Sequence, residues 1–242
     1  MVDKPPFLEA HPSRPHGQAT LWDGLRALLA YELVNGGQVS IINRLDRETS
    51  GLTLVAKNRP AARVLHTQMQ SRRVEKQYLA LVWGWPETES FVVDGPILRR
   101  GTREPSPIHL KRMIHPEGAP ARTRFQLEAC FTRETSNGYR FALVRAFPET
   151  GRMHQIRVHL AHAGHPVVGD KIYGPDEGCY LEFIRTGWTP ELAGRLLLPR
   201  HALHSTVLRL PDAGLAWESP LAPDLAAWGG ENLLAALPSR AV

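Results

Sequence analysis

One acidic residue, Asp46, lies in a sequence context that suits catalysis. Threonine, serine and glycine follow it at positions 49–51, and an apolar run begins at Leu52. The two hydroxyls can bond the carboxylate or the local backbone, and Gly51 permits a close approach that a side chain would block. Arg44 faces the same side as Asp46 if the segment is extended. On its own, this pattern is more typical of a surface turn with an ion pair.

A second candidate segment covers residues 150–160 and is rich in basic side chains. Met153, Ile156 and Leu160 have the spacing of one helical face, which predicts a helix anchored to a core. The basic residues would lie toward the other faces, and the first amides of such a helix suit a phosphate. Alone, the segment is more simply a buried helix with a basic exposed side.

A third segment, residues 75–84, has the pattern of a buried strand. Tyr78 alternates with apolar neighbours that point to the opposite face. A tyrosine in such a strand is usually packed in a core, so this segment alone does not indicate a function.

The elements that must position these segments follow from hydrophobic periodicity. Helices are predicted over 21–33, 60–69, 154–163, 177–186, 191–196 and within 223–237. Strands are predicted over 38–42, 52–56, 77–83, 122–131, 139–147 and 204–210, with a turn at Thr135-Ser136-Asn137-Gly138. Because strands and helices do not alternate regularly, the predicted fold class is α+β, with a mixed, largely antiparallel sheet and peripheral helices.

Composition narrows the class of protein. The chain has 242 residues, of which 43% are hydrophobic and 22% charged, as in globular proteins. Its formal net charge of +5 favours an anionic partner without identifying one. Cys130 and Cys179 lack CxxC spacing, so we expect a reducing, cytoplasmic location. No long apolar run and no signal-like start are visible, so neither a membrane span nor a signal peptide is expected.

Taken together, the three segments resemble the RluA-type family of RNA pseudouridine synthases. The family's arginine-leucine-aspartate with threonine-serine-glycine matches 44–51, its tyrosine strand matches 76–84, and its glycine-arginine-x-histidine-glutamine-x-arginine-x-histidine stretch matches 151–159. Further matches are Asp3-Lys4-Pro5-Pro6, His11-Pro12, Gly164-His165-Pro166, Gly169-Asp170, Tyr173-Gly174 and Leu203-His204. Each motif alone has modest specificity, but their occurrence in the family's order is highly specific.

The resemblance implies an enzyme that detaches uracil from its ribose, turns it and rejoins it through a carbon, without a cofactor or metal. By position, Asp46 is the catalytic carboxylate, acting either as a nucleophile or as the base that abstracts a sugar proton. Arg157 is implied to pair with Asp46 and keep it ionised. Tyr78 is implied to stack on the flipped uracil or to handle a proton. The implied fold places these residues in a central basic catalytic cleft.

The resemblance also assigns residues to RNA binding. Arg44 is implied to help evict the base from its helix, and Leu203 to line the uracil pocket. The other candidates for RNA contact are Thr49, Ser50, Gly51, Lys76, Arg152, His154 and Gln155. Base flipping is expected, because a base within a stem or stacked loop is inaccessible. The expected partner is a stem-loop of ribosomal or transfer RNA, gripped through its phosphates by a monomer.

The domain organisation expected from the resemblance is a single catalytic domain over 1–242, with a helical tail in 223–242. Relatives usually have strands before the lysine-proline segment, and many carry a small RNA-binding domain in front, whereas this sequence begins near that segment. Either the catalytic domain alone selects its RNA, or the native chain begins earlier. Leu8-Glu9 also departs from the small or apolar residues that relatives often have.

A metal-dependent enzyme is one competing interpretation. It is suggested by His154, His159, His162 and His165. However, no acid accompanies them in the predicted helix, and the sequence contains neither HExxH nor CxxC.

Two further alternatives concern the acid itself. A glycoside hydrolase would normally need two cooperating carboxylates, and only Asp46 has a strong context, although Glu48 is near in sequence. A non-catalytic RNA-binding relative is disfavoured because Asp46, Tyr78 and Arg157 are all present.

Overall fold

The computed structural model describes residues 1–12, 18–135 and 138–237, so the predicted turn residues Ser136 and Asn137 lie outside the described part. The strands are β1 (Val2–Lys4), β2 (Ser40–Ile41), β3 (Ser50–Thr53), β4 (Val55–Ala56), β5 (Glu75–Trp83), β6 (Ser90–Asp94), β7 (Ile97–Arg99), β8 (Arg112–Ile114), β9 (Arg122–Thr135), β10 (Gly138–Pro148), β11 (Leu203–Leu210) and β12 (Leu215–Glu218). The helices are α1 (Leu21–Leu28), α2 (Ala30–Val34), α3 (Arg59–Gln70), α4 (Gln155–His162), α5 (Gly178–Thr186), α6 (Pro190–Leu196) and α7 (Pro223–Ala236).

The chain divides into two compact units. Unit 1 comprises residues 1–77 and 204–222, and unit 2 comprises residues 78–203 and 223–242. The chain passes from one unit to the other three times: within β5, within β11 and at the start of α7. The interpretation of residues 1–242 as a single catalytic domain stays a prediction.

Unit 1 is organised around β3. This strand pairs antiparallel with β1 and parallel with β11, and β12 pairs antiparallel with the second half of β11. Leu52 and Leu54 pack with Leu208 and Leu210 in one apolar cluster, which α3 covers with Ala62. The strands around the predicted catalytic loop are therefore anchored to a buried core.

A capping residue fixes the start of helix α3 in unit 1. Asn58 caps α3 by accepting a hydrogen bond from the backbone N–H of Ala61 at 2.9 Å, and Pro60 lies in the first turn. The predicted helix over 60–69 is confirmed. The single helix predicted over 21–33 is divided, because Leu29 has φ −102° and ψ 25°, outside the helical region.

Unit 2 contains an antiparallel sheet in the order β5-β10-β9-β6. The longest pair, β9 and β10, extends the strands predicted over 122–131 and 139–147. Alternating burial along β9, with Thr123, Phe125 and Phe131 inside, explains why its period was visible in the sequence. β7 and β8 form a separate antiparallel hairpin.

The C-terminal helix α7 is part of unit 2. Trp228 packs edge-on against Phe141, with ring centroids 5.0 Å apart. In the first turn of the helix, the carboxylate of Asp224 accepts hydrogen bonds from Nε (2.7 Å) and Nη2 (2.9 Å) of the fully buried Arg200. Helix α7 thus packs into the unit over the described part of the predicted tail, and residues 238–242 lie outside the described ranges.

The predicted fold class is confirmed. Pairing of β3 with β11 is parallel, and the other pairings named above are antiparallel, so the sheet structure is mixed and largely antiparallel. Within the described ranges, none of the helices has the length and apolar character needed to cross a membrane.

Candidate active site

In unit 1, Asp46 lies half-buried in the loop between β2 and β3. The backbone N–H of Thr49 donates to the carbonyl of Asp46 at 3.1 Å, which closes a turn immediately after the acid. Asn43 closes the base of the loop: its amide nitrogen donates to the carbonyl of Leu52 at 3.1 Å, and its oxygen accepts from the N–H of Leu54 at 2.7 Å. The loop is therefore tied to the strand segment that follows it.

A fully buried cation, Lys4, braces the same loop. Its ammonium donates to the carbonyls of Pro5 (2.9 Å), Leu8 (3.0 Å) and Arg47 (3.2 Å). A buried ammonium is costly unless its protons find acceptors. The three carbonyls meet that demand, and one of them belongs to the residue directly after Asp46. The lysine of the lysine-proline segment thus fixes the backbone beside the acid.

The threonine, serine and glycine that follow the acid are packed against other residues of unit 1. Thr49 and Ser50 are buried, and Ser50 Oγ lies 2.9 Å from His204 Nδ1. Gly51 has φ +107° and pairs with Ser205 of β11. A Cβ at position 51 would lie 2.2 Å from the Ser205 carbonyl oxygen. The motif therefore lets β11 approach β3, and its predicted contact with RNA stays a prediction.

Gly51→Ala is expected to lower the free energy of unfolding by at least about 3 kcal/mol, because strain at positive φ and the clash with Ser205 add together. Urea denaturation measures this effect. Gly24→Ala is the matched control: Gly24 lies in α1, a Cβ there would meet nothing within 4 Å, and alanine should stabilise the helix slightly. Equal denaturation midpoints for the two variants would contradict the tight approach at Gly51.

The two basic residues predicted to contact RNA from unit 1 differ in environment. Arg44 is exposed. Lys76 is half-buried on β5, and burial lowers the pKa of its ammonium. Among the described residues, no hydrogen bond or ion pair is made with the Lys76 ammonium. A partly desolvated cation of this kind favours an anionic ligand.

In unit 2, Arg157 on α4 is held by a buried carboxylate, that of Asp170. Arg157 Nε donates to Asp170 Oδ2 at 2.6 Å, and Nη2 donates to Oδ1 at 2.9 Å. The side chains are 5% and 0% exposed, so this bidentate ion pair is almost fully shielded from water. The ring of Tyr173 lies 5.1 Å from the guanidinium carbon. The predicted pairing of Arg157 with Asp46 is a separate interaction and stays a prediction.

The turn that carries Asp170 holds its carboxylate in place for the ion pair with Arg157. Asp170 Oδ1 also accepts hydrogen bonds from the backbone N–H groups of Ile172 (3.0 Å) and Tyr173 (3.1 Å). Burial by itself raises the pKa of Asp170, but the Arg157 charge and these bonds outweigh it and hold the pKa well below its ordinary value. Gly169 has φ +77°, and a Cβ there would lie 2.0 Å from the carbonyl oxygen of Arg200.

The start of α4 differs from the sequence prediction. His154 has φ 58°, in the left-handed region, and the helix begins at Gln155. Met153 therefore lies outside the helix and is 42% exposed, so its predicted place on the core-facing side is wrong. The helix is also buried on all sides over 155–160, which rules out a basic exposed side.

Two predicted RNA-contact residues at the start of α4 have partners inside unit 2. Gln155 donates to the Arg122 carbonyl and to Thr123 Oγ1, both at 3.0 Å, and its oxygen accepts from the N–H of Arg152 at 2.9 Å. His154 Nδ1 lies 2.8 Å from the Tyr173 hydroxyl. Gln155 acts as a brace between β9 and α4.

Two predicted residues of unit 2 are buried apolar or aromatic side chains. Tyr78 is 9% exposed and pairs with Ala146 across β5 and β10. Leu203 is 5% exposed at the start of β11. Arg152, in contrast, is exposed, and its Nε donates to the carbonyl of Pro120 at 3.1 Å. Within unit 2, the chain thus brings Arg152, His154 and Arg157 together at one end of α4.

Three of the four histidines that suggested a metal, His154, His159 and His165, have hydrogen-bond partners in unit 2. His159 Nε2 donates to the Gly95 carbonyl at 3.0 Å and Nδ1 lies 2.9 Å from Thr123 Oγ1, while burial lowers the pKa of the ring. His165 Nδ1 lies 3.1 Å from the Trp83 carbonyl. In the part of the chain that the structure describes, no three His, Cys, Asp or Glu side chains converge as metal ligands would.

Sequence reasoning missed the roles of two residues that support the site, Asp170 and Lys4. The signal for Asp170 was an acid directly after Val167, Val168 and a turn-forming Gly169. The signal for Lys4 was a lysine immediately before two prolines. Both residues belong to motifs that the family shares, but the motifs by themselves assign them no contact.

The family model for RNA pseudouridylate synthases matches residues 1–162, which include the loop of Asp46 and the start of α4. The chain therefore belongs to the RNA pseudouridylate synthase family, and the resemblance inferred from the motifs is confirmed.

Similar sequences include the ribosomal large subunit pseudouridine synthase D of Nitrosomonas europaea, which is 42% identical over 235 residues, covering 94% of this chain and 60% of that protein. The protein of the same name from Escherichia coli K12 is 35% identical over 235 residues, covering 93% of this chain and 65% of that protein. The chain thus spans less than two thirds of the length of these relatives.

Similar solved structures include human RNA pseudouridylate synthase domain containing 4, with a TM-score of 0.69 and 25% identity, covering 94% of this chain and 87% of that one. Human RNA pseudouridylate synthase domain containing 1 has a TM-score of 0.63 and 27% identity, covering 91% and 86%. These structures agree with the α+β fold class.

Proposed function

We propose that this protein converts a uridine in RNA to pseudouridine, with Asp46 as the catalytic carboxylate. The observation that carries the proposal is the family match, which spans the Asp46 loop. The reaction breaks the bond between ribose C1′ and uracil N1 and forms a bond between C1′ and C5. The proton lost from C5 is balanced by one gained at N1. Because the product is an isomer of the substrate, no oxidant or reductant is consumed.

Asp46 needs a fixed position for either of its two candidate roles. A nucleophile must lie in line with the atom it attacks, and a base must lie within hydrogen-bonding reach of the proton it removes. The bracing of its loop by Asn43 and Lys4 supports both roles. An anionic carboxylate serves in each case.

Arg157 and Tyr78 complete the proposed catalytic group. Arg157 would pair with Asp46 and keep it ionised. Its ion pair with Asp170 supports this role, because two hydrogen bonds lock the plane of the guanidinium before substrate binds. Tyr78 would stack on the flipped uracil or move a proton through its hydroxyl. Leu203 would line the uracil pocket.

The proposed substrate is a stem-loop of large-subunit ribosomal RNA, bound by a monomer in the cytoplasm. The names of the relatives favour ribosomal over transfer RNA. Arg44 would help evict the target base, and the other proposed RNA contacts are Thr49, Ser50, Gly51, Lys76, Arg152, His154 and Gln155. Two free cysteines agree with a reducing compartment.

Mapping pseudouridines in ribosomal and transfer RNA from cells with and without the gene tests the proposal. At least one pseudouridine in large-subunit ribosomal RNA should disappear on deletion and return when the gene is restored on a plasmid. Purified protein should form the same pseudouridine on an unmodified transcript. If deletion removes no pseudouridine and the purified protein forms none, the protein is not an active synthase.

A further inference from the structure

Two arginines face each other on the β7–β8 hairpin of unit 2. The antiparallel register places Arg99 directly opposite Arg112, so both side chains leave the same face. Ile97 and Ile114 share that face and pack in a buried cluster. The aliphatic parts of the two half-buried arginine side chains therefore lie on the same face as the core residues Ile97 and Ile114. Their two positive charges are directly opposite each other, and like charges in this position destabilise a strand pair.

Neither guanidinium has a carboxylate partner among the described residues. Arg99 Nη1 lies 2.9 Å from His109 Nε2, and Arg112 Nη2 lies 2.8 Å from the sulfur of Met153. An accepting ring nitrogen is neutral and a thioether is a weak acceptor, so neither offsets the charge. Both Nε atoms are buried and, over the described ranges, have no hydrogen-bond partner.

Other basic residues of the same hairpin differ from Arg99 and Arg112, because each of them forms an ion pair with a glutamate. The pairs are Arg100 with Glu104 and Glu177, Arg103 with Glu117, and Lys111 with Glu177. The absence of an acid at the opposed arginines, among the residues described, is therefore specific to that position and does not reflect a shortage of carboxylates nearby.

We propose that Arg99 and Arg112 together bind one phosphate of the RNA substrate. Guanidinium groups bind phosphate oxygens through paired N–H donors, and a phosphate between the two would relieve their repulsion and accept from the buried Nε groups. The hairpin face is half-exposed, which admits a phosphate that belongs to a chain. The inference rests on the proposed function, since it takes RNA as the ligand.

The position of the pair beside the start of α4 supports RNA as the source of the phosphate. Met153, which contacts Arg112, lies between two proposed RNA contacts in the sequence. The backbone N–H of Arg112 donates to the Tyr173 hydroxyl at 2.9 Å. That hydroxyl lies 2.8 Å from His154 Nδ1, and the Tyr173 ring underlies Arg157. The arginine pair is thus joined to the proposed catalytic end of α4 by direct contacts.

RNA affinity across a salt series tests the proposal, with an unmodified large-subunit ribosomal RNA transcript as the probe. Arg99→Gln and Arg112→Gln should each raise Kd about tenfold or more, as expected for lost charge-assisted hydrogen bonds. Each should also lower the slope of log Kd against log salt by roughly 0.7 to 1. Arg103→Gln removes the same charge from an acid-paired arginine and should change Kd by less than about threefold. Equal Kd values for the three variants overturn the proposal.

Melting temperature separates phosphate binding from a structural role. Without RNA, Arg99→Gln and Arg112→Gln should melt at the same temperature as wild type or higher, because one of two opposed charges is gone. A fall of several degrees in both variants would show a structural role and overturn the proposal. Arg112→Lys, which keeps the charge but not the planar donors, should have an intermediate Kd.

Free phosphate is distinguished from RNA by adding inorganic phosphate alone. If phosphate raises the melting temperature of wild type but Arg99→Gln and Arg112→Gln bind RNA normally, the pair takes a free anion and the proposal fails. Failure of the proposed function gives a different result, in which wild type binds RNA but forms no pseudouridine. In that case the Kd values of Arg99→Gln, Arg112→Gln and Arg103→Gln still decide whether the arginine pair binds phosphate.

Discussion

Asp46→Asn is expected to lose pseudouridine formation while still binding RNA. The rate should fall at least about 10³-fold, because an amide neither attacks a sugar carbon nor removes its proton. RNA affinity should stay unchanged or rise slightly, since a negative charge near phosphates is removed. Release of tritium from uridine labelled at C5 measures the reaction, and fluorescence anisotropy measures affinity in the same buffer.

Glu48→Gln is the matched control for Asp46→Asn. Glu48 lies in the same loop, is also half-buried and carries the same charge. Its variant should keep its rate within about tenfold of wild type. If Asp46→Asn retains a comparable rate, Asp46 is not the catalytic carboxylate. If both variants lose activity, a mechanism with two cooperating carboxylates replaces the one proposed here.

Asp170→Asn is expected to destabilise the protein by about 3–5 kcal/mol, the range observed when one partner of a buried ion pair is removed. Arg157 would remain buried but lose the carboxylate that binds both its Nε and its Nη2, and the amide nitrogen of asparagine cannot accept from the guanidinium. Denaturation in urea at neutral pH measures the loss. Pseudouridine formation should also slow, since Arg157 would lose the bonds that fix its orientation.

The effect of Asp170→Asn should depend on pH in a definite direction. The pKa of Asp170 is lowered in the folded state, so the pair stabilises the protein above the unfolded-state pKa of about 4. This contribution is lost as the pH falls toward the folded-state pKa. The difference in unfolding free energy between wild type and variant should therefore be largest at neutral pH and shrink below about pH 4.

Asp94→Asn provides the control for solvent exposure. It also removes a carboxylate from an arginine, Arg122, at 2.8 Å, but the two side chains are 63% and 46% exposed. Water replaces such a partner at little cost, so the denaturation midpoint should barely move. If Asp170→Asn is no more destabilising than Asp94→Asn, burial of the ion pair between Arg157 and Asp170 does not increase its contribution to the free energy of unfolding.

Short-range patterns in the sequence determined the elements and the family. Alternation of apolar residues predicted β9 and β10, and helical spacing of apolar residues from Pro60 predicted α3, because these signals depend on neighbours a few positions apart. The order of the motifs predicted the family. None of these signals required knowledge of which distant residues meet.

The start of α4 shows where periodicity failed. Met153 has the spacing of the helical face that contains Ile156 and Leu160, yet it lies outside the helix and is exposed. Because the backbone of His154 is left-handed, the helix begins only at Gln155, and Met153 is not part of it. Hydrophobic spacing carries no information about that backbone conformation, which is stabilised by contacts such as the one between His154 and Tyr173.

The sequence by itself determined that Asp46 stands in the pattern of a catalytic acid and that Arg157 and Tyr78 follow in the family's order. Only the tertiary structure decided that Asp170 holds Arg157, that Lys4 is buried beneath the Asp46 loop and that Gly51 must lack a side chain. The physical reason is desolvation. A charge or a glycine acquires such a role when folding removes water and brings a distant partner within about 3 Å, and the spacing of residues along the chain does not encode that distance.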